Sequence, residues 1–252
     1  MHDSYDITIF DEIDSTNNEA KRRISDTEKD ISRPFVIAAH AQTSGRGRHG
    51  RSFYSPGGTG VYMTVTCPTD CPIEGQVTMT TKSAVAVSRA IEGFFGKNCA
   101  IKWVNDIFID DRKCCGILCE AVNDYEKNRL KYVVIGVGVN VSTEIWPEEI
   151  AHTAGSVRSV ALTEEEFRHF TERIAEEILK VIYEPDGSET QYYREHSYVI
   201  GREITFTAAG SGETCSGLAV GIDDKGGLKV RMASGEIITL DSGEITVRLK
   251  ES

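Results

Sequence analysis

An α+β fold is predicted: a β-sheet packed with helices over residues 1–199, followed by a small β-barrel over residues 200–252. Three observations carry this. Strand-length apolar runs are interrupted by amphipathic helical stripes. Near residue 200 the texture changes to short alternating segments separated by glycine turns. The chain's 252 residues, 40% hydrophobic and 27% charged, suffice for one ordinary core plus a smaller one and are too apolar for disorder.

Tyr5 to Ile13 alternates as a strand does. Asp14-Ser15-Thr16-Asn17 then offers helix-starting oxygens, with Thr16 and Glu19 in capping-box spacing, so a short helix is expected through Ile24. Pro34 to Ala41 reads as a buried strand. It runs into Gln42-Thr43-Ser44 and the Arg/Gly segment Gly45-Arg46-Gly47-Arg48-His49-Gly50-Arg51, which is expected to hang off a sheet edge. Ser55-Pro56-Gly57-Gly58-Thr59-Gly60 breaks the chain before a strand at Val61 to Thr66. Val77, Ala84, Val87, Ile91 and Phe95 then mark a helical stripe from about Gln76 to Phe95.

Strand material resumes at Ala100, and Asp106 to Glu120 reads as a hairpin with its turn at Asp110-Asp111-Arg112. Tyr132 to Val141 is another strand, and its Gly136-Val-Gly138 spacing suggests that something approaches the backbone closely. Thr163 and Glu166 form a second capping box, opening a helix whose apolar face is Phe167, Phe170, Ile174, Ile178 and Val181. The barrel strands are expected at Glu203–Thr207, Cys215–Ile222, Leu228–Met232, Ile237–Leu240 and Glu244–Leu249.

A formal net charge of −11 argues against a general nucleic-acid binder, so any phosphate contact must be local. No stretch approaches the about 18 apolar residues of a membrane helix. The opening residues lack a signal peptide's basic and apolar regions, and a cytoplasmic location is expected. Seven cysteines, two of them adjacent at Cys114-Cys115, suit a reducing compartment better than a disulfide framework. Cys67/Cys71 and Cys115/Cys119 are each four apart, but buried thiols explain them better than zinc does.

Three arginines fall between positions 46 and 51 of this acidic chain. Gly45-x-Gly47-x-x-Gly50 satisfies the dinucleotide fingerprint, and Gly45 to Ser52 comes within one residue of a P-loop. Both motifs require a helix next, whereas Phe53-Tyr54-Ser55-Pro56-Gly57-Gly58 cannot start a long one. A solvated basic loop is the plainer alternative. Against it, glycines at 45, 47 and 50 let the backbone wrap a ligand, and the guanidinium forks suit carboxylate and phosphate oxygens. A small anion is the natural occupant.

Five segments, in order and spacing, resemble the biotin protein ligase family. They are Asp14-Ser15-Thr16-Asn17; Gln42 with Gly45 to Arg51; Lys102-Trp103-Val104-Asn105-Asp106; Arg112-Lys113 with Gly116-Ile117-Leu118; and Gly136-Val137-Gly138-Val139-Asn140. The family usually has proline where this chain has Val104. The resemblance implies a mixed-sheet catalytic domain of the class II aminoacyl-tRNA synthetase/biotin ligase kind up to about residue 200, and an SH3-like C-terminal barrel. It also implies a two-step reaction. Biotin's carboxylate attacks the α-phosphate of ATP to give biotinyl-adenylate and pyrophosphate, and a lysine amine of a biotin carboxyl carrier protein or domain then attacks the mixed anhydride.

That chemistry calls for positioning and charge neutralisation rather than an enzyme nucleophile. The catalytic expectation is Arg48, Lys113 and Asp106. Biotin is expected to touch Ser15, Thr16, Asn17, Gln42, Arg46, Gly47 and Gly116, and ATP or the adenylate to touch Arg48, Arg51, Lys113 and Asn140. Arg46 and Arg51 either order the loop or hold pyrophosphate. Asp106 either holds Mg²⁺ or accepts the lysine's proton. Trp103 is read as core rather than as an adenine platform. No DNA or membrane partner and no repressor role are expected, and pairing of two copies through sheet edges stays open. The rivals are a lipoate or octanoate attachment enzyme and a non-catalytic adenylate sensor. Biotin's ureido ring needs matched polar partners, which Ser15, Thr16 and Gln42 supply and an alkyl or dithiolane acid does not require.

Overall fold

The computed structural model describes residues 5–26, 31–72, 76–207, 213–241 and 248–249. The larger sheet contains β1 (Asp6–Ile13), β2 (Phe35–Gln42), β3 (Gly60–Pro68), β4 (Ala100–Lys102), β5 (Asp106–Ile109), β6 (Arg112–Asp124) and β7 (Arg129–Asn140). Their order is β1-β2-β3-β7-β6-β5-β4; β1 runs parallel to β2 and every other pair is antiparallel, so the sheet is mixed.

Alternation sorts this sheet into two faces. Cys115 and Ile117 of β6 and Ile135, Val137 and Val139 of β7 belong to the main core, with α2 (Gln76–Phe95) and α3 (Glu164–Tyr183). Those helices lock together through Phe94, Phe95 and Phe170, whose rings lie 4.8–5.0 Å apart. On the other face α1 (Thr16–Ser25) lays Ala20 against Phe35, Ile37 and Val134, leaving its N-terminus free to build a site.

The Thr163 capping box forms as expected, with Glu166 N donating to Thr163 Oγ1 at 3.2 Å and Thr163 N to Glu166 Oε2 at 2.9 Å. The box expected at Thr16 does not form. Ser15 is the N-cap, accepting from Asn18 N at 3.5 Å, because the Thr16 hydroxyl is committed to Gln42. The β5–β6 turn is shorter than expected: Asp110 and Asp111, both at positive φ, make it alone and Arg112 begins β6. The Arg/Gly loop joins β2 to β3, two interior strands, and so extends from the end of the sheet rather than from its edge.

A fourth helix, α4 (Glu189–Glu195), was not foreseen. Beyond it β8 (Glu203–Thr207), β9 (Thr214–Ile222), β10 (Leu228–Arg231), β11 (Ile237–Leu240) and β12 (Arg248–Leu249) form an antiparallel sheet in the order β11-β10-β9-β8-β12. Of the strand expected at Glu244–Leu249, residues 244–247 lie outside the described ones. Trp103 is core, as expected; its Nε1 donates to the Gly226 carbonyl at 2.8 Å, tying the second sheet's β9–β10 turn to the first. The described cysteines are all free, and burial pushes the Cys67 and Cys99 thiols up to about 12. Among the described residues no helix is long and apolar enough to cross a membrane.

Candidate functional site

The first turn of α1 and the end of β2 build a buried polar cluster. Gln42 Oε1 accepts from Thr16 N at 2.8 Å and Thr16 Oγ1 at 3.2 Å, and Gln42 Nε2 donates to Ser55 Oγ at 3.0 Å. Thr64 of β3 donates to Asn17 Oδ1 at 2.6 Å and lies 2.9 Å from Thr16 Oγ1. Ser15, Thr16 and Asn17 are at most 4% exposed, so these groups are spent on one another rather than on water.

The glycines of β6 and β7 explain how other elements reach the sheet. Gly116 pairs with Gly138 across the two strands. A Cβ on Gly138 would stand 2.3 Å from the Phe53 ring, one on Gly116 3.0 Å from it, and one on Gly136 2.2 Å from Asn17 Oδ1. The close approach read from Gly136-Val-Gly138 is therefore made by Asn17 and Phe53. Tyr62 meets Phe53 edge-on at 6.4 Å, completing an aromatic wall over the glycine pair.

Cations stand at the far end. Lys113, second residue of β6, is braced by Lys113 N donating to Thr153 O at 2.8 Å and Gly155 N donating to Lys113 O at 2.9 Å. Its stem passes Gly116 and its Nζ meets Asp106 Oδ1 at 2.7 Å. Arg48 Nη1 donates to Asn105 Oδ1 at 3.1 Å, and Asn105 is itself locked to Ile117 through Nδ2 to O at 2.8 Å and Ile117 N to Asn105 O at 3.0 Å. Burial lowers the Arg48 guanidinium's proton affinity while nearby Asp106 opposes that shift. Beneath them the Trp103–Val104 peptide bond is cis, and Tyr193 Oη donates to the Val104 carbonyl at 3.1 Å. Asn140, at the end of β7, is 4% exposed and its Oδ1 has no hydrogen-bond partner.

The Arg/Gly loop is a tight hairpin, closed by Gly47 N to Arg51 O at 2.7 Å and Phe53 N to Gly45 O at 2.8 Å around a 3₁₀ turn at Arg48–Gly50. No long helix follows it, in line with setting aside the P-loop and dinucleotide readings. Arg46 reaches back to Asn18 Oδ1 at 2.9 Å, while Arg51 is exposed. The fold thus gathers Ser15, Thr16, Asn17 and Gln42 at one end and Arg48, Lys113 and Asp106 at the other, with Gly116 between. Sequence reasoning gave no role to Asn105, Phe53, Thr64 or Glu120; only the Gly136-Val-Gly138 spacing hinted that something lies close against β7.

The sequence profile of the Biotin/lipoate A/B protein ligase family matches residues 9–140, more than half the chain, and that of the biotin protein ligase C terminal domain matches residues 199–248. The bifunctional ligase/repressor BirA of Bacillus subtilis is 32% identical over 210 residues, covering 79% of this chain and 62% of that protein. The chain thus spans 62% of the length of the two Bacillus relatives it matches. Biotin--[acetyl-CoA-carboxylase] ligase of Mycobacterium tuberculosis is 27% identical, with 92% of this chain and 85% of that one covered. The Aquifex aeolicus biotin protein ligase, solved in complex with biotin and ATP, superimposes with a TM-score of 0.78 at 25% identity over 97% of this chain and 99% of that one. By the match over residues 9–140, the chain belongs to the Biotin/lipoate A/B protein ligase family.

Proposed function

We propose that the protein activates biotin with ATP to biotinyl-5′-adenylate and transfers it to a lysine of a biotin carboxyl carrier domain. One observation carries the reading: the order of chemistry along β7. Beside Gly136 lie the matched polar groups of Thr16, Asn17 and Gln42; beside Gly138 lies the Phe53–Tyr62 wall; near the paired strand's start stand Lys113 and, through Asn105, Arg48. Polar head, apolar stem and anionic end occur in the same order in biotin, and Gly136 to Asn140 spans about 13 Å of strand.

In this reading Thr16 and Gln42 exchange their mutual bonds for the ureido ring, while Arg46, Gly47 and Gly116 border the valeryl chain. Arg48 and Lys113 neutralise carboxylate and α-phosphate oxygens as charge moves onto pyrophosphate, and Arg51, exposed on the loop, meets the departing phosphates. The donor set also suits Mg²⁺, whose role would be to shield phosphate charge. Asp106, now paired with Lys113, and the orphaned Asn140 Oδ1 each offer a hard oxygen, and among the described residues no three His, Cys, Asp or Glu side chains converge. The charge of −11 favours an acceptor protein over DNA as the second partner.

The test is ATP–pyrophosphate exchange with biotin or lipoate as the acid, followed by transfer of labelled biotin to a carrier domain. Biotin-dependent exchange and transfer are expected; exchange with lipoate alone replaces the substrate, and adenylate binding without transfer makes the protein a sensor.

A further inference from the structure

The polar cluster of Thr16, Asn17 and Gln42, the pocket of the proposed reading, and the Arg/Gly loop share one carboxylate. Glu120 of β6, its side chain 20% exposed, accepts from Asn17 Nδ2 through Oε2 at 2.9 Å. Its Oε1 meets Lys21 Nζ at 2.5 Å and Arg46 Nη2 at 3.4 Å. Burial would push this carboxyl up, but the bonds from Lys21 and Asn17 and the charge of Arg46 outweigh it and hold it below the usual carboxylate range. Glu120 is therefore an anion at neutral pH.

Asn17 connects it to the pocket. The amide rests against Gly136, its Oδ1 accepts from Thr64, and Thr64 touches Thr16, which is bonded to Gln42. Arg46 connects it to the loop, two residues before Arg48, and reaches α1 again through Asn18. A continuous polar path thus runs Gln42–Thr16–Thr64–Asn17–Glu120–Arg46. The path joins the groups that would meet an occupant at Thr16 and Gln42 to Arg46, two residues before Arg48 in the loop.

We propose that Glu120 is a positioning residue: by holding Asn17 in the pocket and Arg46 at the base of the loop, it makes filling of the pocket and placement of Arg48 a single event. The proposal rests on the reading that the pocket takes biotin's ring. Asn17 and Lys21 make charge-assisted hydrogen bonds to this largely buried carboxylate, and Arg46 adds an ion pair at 3.4 Å.

Glu120→Gln, Arg46→Gln and the double variant of the full chain test it, each first shown to unfold as cooperatively as the parent. Limited trypsin cleavage after Arg48 and Arg51 is read with and without saturating biotin, alongside the KM for biotin in pyrophosphate exchange. Each single change is expected to raise that KM about tenfold and the double variant no more than the worse single, since both break one link. Cleavage without biotin should run at least about threefold faster than in the parent, and biotin should no longer protect the loop. Retained biotin protection in Glu120→Gln, or effects that multiply to about a hundredfold in the double variant, overturns the proposal. Should Glu120→Gln not fold, Arg46→Gln, altered at a side chain 43% exposed, carries the same protection test. A parent chain without biotin-dependent exchange sinks the functional reading, while faster basal cleavage in the variants still supports the clamp and unchanged basal cleavage refutes it.

Discussion

On β7, Ile135, Val137 and Val139 lie in the core with α2 and α3 and are at most 3% exposed, whereas Gly136 and Gly138, one residue along in each case, admit Asn17 and Phe53. β6 repeats the arrangement, with Cys115 and Ile117 in the core and Gly116 and Glu120 at the site. The same two strands thus serve stability with the side chains of one face and, in the proposed reading, ligand chemistry on the other, where Gly136, Gly138 and Gly116 leave room. Where a face must be approached closely, glycine is needed; where it must exclude water, branched aliphatics are. Changes on the two faces should therefore fail differently, one in catalysis and the other in folding.

The largest effect belongs to the site face. Lys113→Ala is expected to slow biotin-dependent pyrophosphate exchange by about a hundred- to a thousandfold, the loss typical of one preorganised charge partner. Its side chain is 32% exposed, so the unfolding midpoint in urea should barely move. Near-normal exchange would remove Lys113 from the chemistry and leave the site face with Arg48 alone. The opposite face is probed by Ile135→Ala, at a fully buried position. Here a loss of about 2–5 kcal/mol of stability is expected, while kcat/KM of the folded fraction stays close to the parent's. A comparable loss in kcat/KM would mean that the core sets the glycine row's geometry.

The contrast also explains what the sequence made legible. Strands, long helices and the second sheet follow from periodicity, because burial of one face imposes it; Phe167 through Val181 announce α3 at once. α4 did not, since seven residues with two tyrosines are too few for a periodic signal. Arg48 and Lys113 stand in contiguous motifs, and the fold brings both to one end of the candidate site. Glu120 and Thr64 stand in none, because their contacts depend on strand register, which brings Thr64 opposite Gly136 and Glu120 within reach of Asn17. Thr16 was misread as a cap for a related reason. Local spacing favoured a capping box, but the partner that claims its hydroxyl, Gln42, is distant in sequence.

A smaller change tests the glycine row directly. In Gly138→Ala the new methyl would meet the Phe53 ring at 2.3 Å, so the ring must leave the glycine pair. An activity loss of about tenfold is expected, measured as kcat/KM for biotin, with less than about 1 kcal/mol lost in urea unfolding because Phe53 is only partly buried. Unchanged activity would make the Phe53 wall dispensable and leave the polar pocket to bind the acid by itself.

The smallest effect lies behind the core face, at the start of α3. Thr163→Ala removes the bond from Glu166 N, so about 1 kcal/mol should be lost in urea unfolding. Glu166 keeps its pair with Arg158 at 2.9 Å, and Arg158 N donates to the Val141 carbonyl at 2.8 Å, one residue from Asn140. That chain is a physical route from α3's first turn to the end of the glycine row. If the two faces are independent, pyrophosphate exchange in Thr163→Ala equals the parent's at every ATP concentration. A raised KM for ATP with an unchanged KM for biotin would instead show that the helix cap is felt at Asn140 and that the separation ends where β7 does.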